Sequence, residues 1–77
     1  MILQELQRQL NVEPNHEAQI ALYRQNFIGA IMEEGLSEDQ AGIISHKAWE
    51  DGHSSGYSDV VGCAMDLCYF VKKILDA

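Results

Sequence analysis

The stretch EEGLSEDQ, residues 33–40, constrains this chain more than any other. It closes one helix and opens the next with no linker between them. Gly35 suits the left-handed C′ position, and Leu36 then folds back on Ile31 as in a Schellman motif. Ser37 stands as an N-cap, and Gln40, three residues on, completes a capping box. Glu38 and Asp39 put acids in the first turn, where the helix dipole favours them. The result is a helix–turn–helix corner, and the rest of the chain has to fold around it.

The flanking pattern is helical. Ile20, Tyr23, Phe27 and Ile31 recur at i, i+3, i+7 and i+11, with Ile28 and Ala30 beside them, and predict a helix over about 15–34. Upstream, Leu3, Leu6 and Leu10 predict a short amphipathic helix over about 2–11. Pro14 ends it by disfavouring helical geometry at Glu13. Downstream, Ile43, Ile44 and Ala48, with Trp49 nearby, carry a third helix over about 38–51. Val60, Ala64, Leu67, Val71, Ile74 and Leu75, widened by Cys68, form the broad apolar stripe of a fourth, over about 57–75. Lys72 and Lys73 stand in its last turns, where cations suit the helix dipole. No strand alternation, internal repeat or low-complexity stretch interrupts the pattern. The expected fold is all-α: three to four helices in an antiparallel hairpin or small bundle, with residues 1–77 one domain.

Residues 50–59, EDGHSSGYSD, read two ways. Gly52 and Gly56 each cost roughly 1 kcal/mol in a helix interior, which argues for a loop. Yet Ala48, Gly52 and Gly56 fall four apart, a stripe of small residues that lets two backbones approach closely. A continuous helix would also line His46, Trp49, His53 and Tyr57 along a neighbouring face. The last two helices are therefore either separate or one.

Charge narrows the partners. The chain carries −7 at pH 7, and residues 33–59 hold Glu33, Glu34, Glu38, Asp39, Glu50, Asp51 and Asp59 against Lys47 alone. Such a field repels nucleic acid and anionic membrane, and it suits a basic protein surface or plain solubility. A domain this small is marginal by itself, so a partner or self-association is expected. Cys63 and Cys68, five apart on a helix, point to different faces and cannot bridge each other. No basic, apolar leader opens the chain, and no segment reaches the ~18 apolar residues of a membrane span. The expectation is a cytoplasmic protein with reduced thiols.

Four chemistries suggest themselves. GHSSG, residues 52–56, spells the G-x-S-x-G nucleophile elbow, but Ser54 follows a helix rather than a strand, and no histidine comes after it to complete the triad. His46, Glu50 and His53 at i, i+4 and i+7 share one helix face, and Glu50-x-x-His53 is the unit that di-metal bundles use. One helix face cannot wrap a tetrahedral ion, so that reading needs a dimer. Nucleotide hydrolysis by an acidic bundle of the MazG type would need paired carboxylates on unbroken helices, and the corner breaks the first of them. DNA reading fails on charge, since the helix after the corner would bring Glu38, Asp39, Glu50 and Asp51 to phosphates. What remains is a binding surface around Trp49, His53 and Tyr57, because Trp and Tyr are over-represented at interaction hot spots. Against it stands the plainer reading that Trp49 and Tyr57 close the core near the turn.

AWEDGHSSGYSDV, residues 48–60, resembles a pattern in small accessory proteins of tailed bacteriophages. There an aromatic, then Gly-His-Ser-small-Gly-Tyr, then a β-branched residue sits between helical halves. The resemblance covers under a fifth of the chain and carries over no functional residues. It implies an early phage or prophage gene whose product binds a host enzyme or defence complex stoichiometrically, in the host cytoplasm. The expected function is thus a non-enzymatic inhibitor or modulator without a cofactor. It would present Glu33, Glu34, Glu38, Asp39, Trp49, Glu50, Asp51, His53, Tyr57 and Asp59 to a basic host-protein surface. The alternatives are a metal protein using His46, Glu50 and His53, and a purely structural oligomerising module. A homodimer or higher oligomer is expected through the exposed part of the fourth helix and Leu3, Leu6 and Leu10. Neither direct nucleic-acid binding nor membrane binding is expected.

Overall fold

Two of the helices start where a side chain caps them. In the computed structural model, which describes residues 1–76, α1 spans Leu3–Val12, α2 His16–Glu33, α3 Glu38–Gly52 and α4 Tyr57–Asp76. Asn15 caps α2, its side-chain oxygen accepting from the Ala18 N–H at 3.0 Å. At the EEGLSEDQ corner, Gly35 takes a φ of 98°, and its N–H donates to the Met32 carbonyl at 2.9 Å. Leu36 and Ile31 are both buried in the core cluster, as a Schellman-type end requires. The capping box forms in full: the Gln40 N–H donates to the Ser37 hydroxyl at 3.2 Å, and the Ser37 N–H to the Gln40 side chain at 2.9 Å. No strand occurs among the described residues.

Short connections make successive helices antiparallel neighbours, and the contacts close an up-down-up-down bundle. α1 packs on α2 and α4, and α3 packs on α2 and α4. α2 and α4 also meet across the diagonal, while α1 and α3 do not touch. Tyr57, at the start of α4, lies against His16, at the start of α2. Near the other end, Lys72 of α4 reaches Glu34 at the end of α2. α1 is tied to the beginning of α4 through Ser58. The Gln7 side chain donates to its carbonyl at 3.2 Å, and its hydroxyl donates to Asn11 at 2.7 Å.

Residues 52–58 resolve into an end, a turn and a start. α3 and α4 are not continuous. The Ser55 N–H donates to the Gly52 carbonyl at 3.0 Å, and Gly56 takes a φ of 120°, which breaks the helix. Gly52 serves the other expected use of a small residue. A Cβ there would stand 2.8 Å from the Val60 nitrogen and 2.9 Å from its Cα, so α3 and α4 cross almost backbone to backbone.

One expectation about packing needs correction. Leu3, Leu6 and Leu10 are buried inside the chain itself, because α1 folds back on α2 and α4; they offer no dimer contact. Ile43 is 71% exposed, since adjacent Ile43 and Ile44 point apart on a helix and only Ile44 turns inward. Ile74 and Leu75 are also exposed, because the stripe of α4 runs on past the last turn that the other helices cover.

Candidate interaction surface

The end of the bundle where α3 stops and α4 begins gathers four of the six Phe, Tyr and Trp residues. Tyr23 of α2 stacks on Phe27 with ring centres 4.5 Å apart, and it lies 4.9 Å from Tyr57 and 6.2 Å from Trp49. Trp49 in turn lies 6.0 Å from Tyr57 and stacks on His53 at 5.5 Å. The residues come from three helices, and one fact of sequence joins them: Trp49, His53 and Tyr57 straddle the turn that Gly56 makes. The His53 ring is anchored by its Nδ1, 2.8 Å from the Trp49 carbonyl.

Trp49 does not close the core. It stays 41% exposed, while Phe27 beneath it is buried. Its ring lines two clefts. One, of about 390 Å³, lies between α2 and α3 against Tyr23, Phe27, Ile28 and His46. The other, of about 240 Å³, is formed with His16, Gln19, His53 and Tyr57. Tyr23 sits half-buried between the rings, and burial, with a smaller push from Tyr57, raises its phenol pKa to about 12.

The expected acidic face is divided. Glu33, Glu34, Glu38 and Asp39 stand at one end of α3, and Glu50 and Asp51 at the other, roughly 20 Å away at 1.5 Å per residue. Several are already paired. Glu33 meets the Met1 amino group at 3.0 Å, Glu34 meets Lys72 at 3.3 Å, Asp51 meets Lys47 at 3.3 Å, and Glu50 meets His46 at 2.7 Å. Asp51 and Asp59 join Asp66, a residue outside the acid-rich window of the sequence, around a third cleft that also holds Cys63. Burial, followed by those three carboxylates, raises the Cys63 thiol pKa, which disfavours the nucleophilic thiolate.

Ser54 and Ser55 are exposed in the turn, and among the described residues no hydrogen bond links either to a histidine. His46 turns to Glu50, whereas His53 turns to Trp49. Among the described residues no group of three His, Cys, Asp or Glu side chains converges on a metal position. What sequence reasoning missed is the share of α2. Tyr23 reads by its spacing only as part of the apolar face of α2, and nothing in the sequence singles out His16. Their proximity to Trp49 and Tyr57 depends on how α2 packs against α3 and α4. Among the described residues no helix is long and apolar enough to cross a membrane. No family model matches the chain, and no curated protein or solved structure matches it.

Proposed function

We propose that this chain is a non-enzymatic binding protein. Its aromatic end, Trp49 with Tyr23, His53 and Tyr57, docks on a basic surface of a partner protein, with Glu50, Asp51 and Asp59 alongside. The observation that carries the reading is Trp49, left 41% exposed between two clefts and backed by Tyr23, His53 and Tyr57. Tryptophan at the centre of a contact, backed by well-packed neighbours, is the commonest form of a binding hot spot. Flanking carboxylates steer a basic partner and favour an arginine or lysine over the ring faces. Glu38 and Asp39, at the far end of α3, lie outside this contact. The GHSSGY resemblance supports a phage-type inhibitor or modulator acting on a host enzyme or defence complex in the cytoplasm.

The test starts from a tagged capture in bacterial lysate at low and high salt. It proceeds to titration of the partner so identified. Trp49 is the only tryptophan in the chain, so its emission reports the contact directly. The expected result is a blue shift on binding. Trp49→Ala is expected to lose roughly 30-fold in affinity, the size of a 2 kcal/mol hot spot. Joint reversal of Asp51 and Asp59 to lysine is expected to slow association. A partner bound with equal affinity by Trp49→Ala would refute the assignment.

A further inference from the structure

The opposite end of the molecule carries a surface that the aromatic site does not use. α4 is twenty residues long, and past Val71, which still packs on the core, its residues are exposed. Asp66, Tyr69, Phe70 and Lys73 fall at i, i+3, i+4 and i+7, so they share one face of the helix. That face points away from buried Val60, Val61, Ala64 and Cys68. Tyr69 is 71% and Phe70 62% exposed, with exposed Ile74 beside them. Contiguous large apolar side chains, unlike singly scattered ones, mark a contact surface.

The order of charges identifies what covers it. Asp66 and Lys73 lie equally far along the helix on either side of the Tyr69–Phe70 pair. Among the described residues neither forms an ion pair, whereas neighbouring Lys72 is occupied by Glu34. A stripe that reads acid, aromatic pair, base is complementary to itself when reversed. We infer that a second copy of this chain docks here, α4 antiparallel to α4, about a two-fold axis through the Tyr69–Phe70 pair. Aromatic rings then meet aromatic rings, and each Asp66 faces the partner copy's Lys73. This is an isologous contact, and it closes at two copies. It also suits a chain of net charge −7, because the stripe is locally neutral and pairs opposite charges where two copies meet.

The contact is small. An aromatic side chain offers roughly 200 Å², so Tyr69 and Phe70 together bury about 250–300 Å² per copy, well under the ~800 Å² of a standard interface. The dimer therefore belongs in the micromolar range or weaker.

Sedimentation equilibrium on the full chain, from micromolar to millimolar concentration, tests this. All four residues are exposed, so their variants keep the fold, and circular dichroism checks that they do. The expected result is a reversible monomer–dimer equilibrium. Phe70→Ala is expected to weaken it at least ~30-fold, as loss of a central aromatic does. Asp66→Lys, which sets lysine against lysine twice, is expected to weaken it about tenfold. The double variant Asp66→Lys with Lys73→Asp is expected to restore it, because the pattern is inverted but again self-complementary. A monomer at every concentration would overturn the proposal. So would assembly beyond a dimer, a dimer indifferent to Phe70→Ala, or a double variant no better than the single. A monomer that instead co-sediments with anionic vesicles would assign the face to a membrane surface and overturn it too.

Discussion

Gly52→Ala is a one-carbon change whose sign the structure decides. Gly52 is the last residue of α3, and an added Cβ would stand 2.8 Å from the Val60 nitrogen, 2.9 Å from its Cα and 3.0 Å from the Asp59 carbonyl carbon. All three are backbone atoms in the first turn of α4. They cannot rotate aside as a flexible side chain can, so α3 and α4 must separate. Overpacking of this kind costs about 1–3 kcal/mol. Alanine returns at most ~1 kcal/mol in helix propensity, and less at a helix end than in its interior. The expected net loss is about 1–2 kcal/mol, or roughly 5–15 °C in Tm for a domain of this size. Gly42→Ala is the control. It lies inside α3 with nothing within 4 Å of the added carbon, so the same substitution there is expected to gain about 0.4–1 kcal/mol. Urea unfolding followed at once by helical circular dichroism and by Trp49 emission measures both. Gly52→Ala as stable as the parent, beside a stabilised Gly42→Ala, would refute the close crossing of α3 and α4.

Leu6 is fully buried where α1 meets the bundle. Leu6→Ala is therefore expected to cost about 2–5 kcal/mol by cavity formation, and a loss under ~0.5 kcal/mol in the same unfolding assay would show α1 to be peripheral. Tyr23 holds its proton more tightly folded than unfolded, with a pKa of about 12 against an ordinary 10.0. Stability owed to the neutral phenol is whole below pH 10 and is lost as pH rises from there towards 12. Tyr23→Phe is expected to lose stability less steeply across that window, and superimposable curves would contradict the burial of that hydroxyl.

Capping was legible in the sequence because it is local. Gly35, Ser37 and Gln40 sit within six residues, and their hydrogen bonds need no tertiary neighbour to be read. Asn15 is readable on the same grounds. Periodicity identified apolar faces but not what lies against them. Leu3, Leu6 and Leu10 form a clear stripe whichever way it is covered, and only the return of α1 to α4 decides that it is covered from within. Ile74 and Leu75 continue the stripe of α4 in phase, yet phase says nothing about where neighbouring helices end. Residues 52–58 stayed ambiguous because Gly52 and Gly56 do different work. Gly56 needs its positive φ, a local matter, while Gly52 needs room for Val60, which is visible only once α3 and α4 are placed. Trp49, His53 and Tyr57 were legible as a group from their spacing around the turn. Tyr23 and His16 were not, since only the packing of α2 carries them to Trp49 and Tyr57.

The core mixes large aliphatic side chains with four alanines. Ala30, Ala41, Ala48 and Ala64 are fully buried, and Gly52 lies at the closest crossing, while Trp49, Tyr69, Phe70, Ile74 and Leu75 stand in water. A domain already marginal by size gains nothing in stability from that arrangement. Other exposed apolar side chains, such as Val12 and Ile43, stand on other helices, but these five form two groups. They collect at the two ends of α4, Trp49 beside its first residue, Tyr57, and Tyr69 with Phe70 towards its last turns. Pairing of two tails about the Tyr69–Phe70 axis sets the two Trp49 sites apart by the lengths of helix between them, roughly 40 Å in all at 1.5 Å per residue. On the two proposals together, the dimer would be a bivalent reader of basic surfaces, and its two ends would act on binding through different terms. Trp49 would set the strength of each contact and Phe70 how many contacts are made at once, so a weak dimer would be enough to convert modest single-site affinity into avidity for a partner that presents two sites.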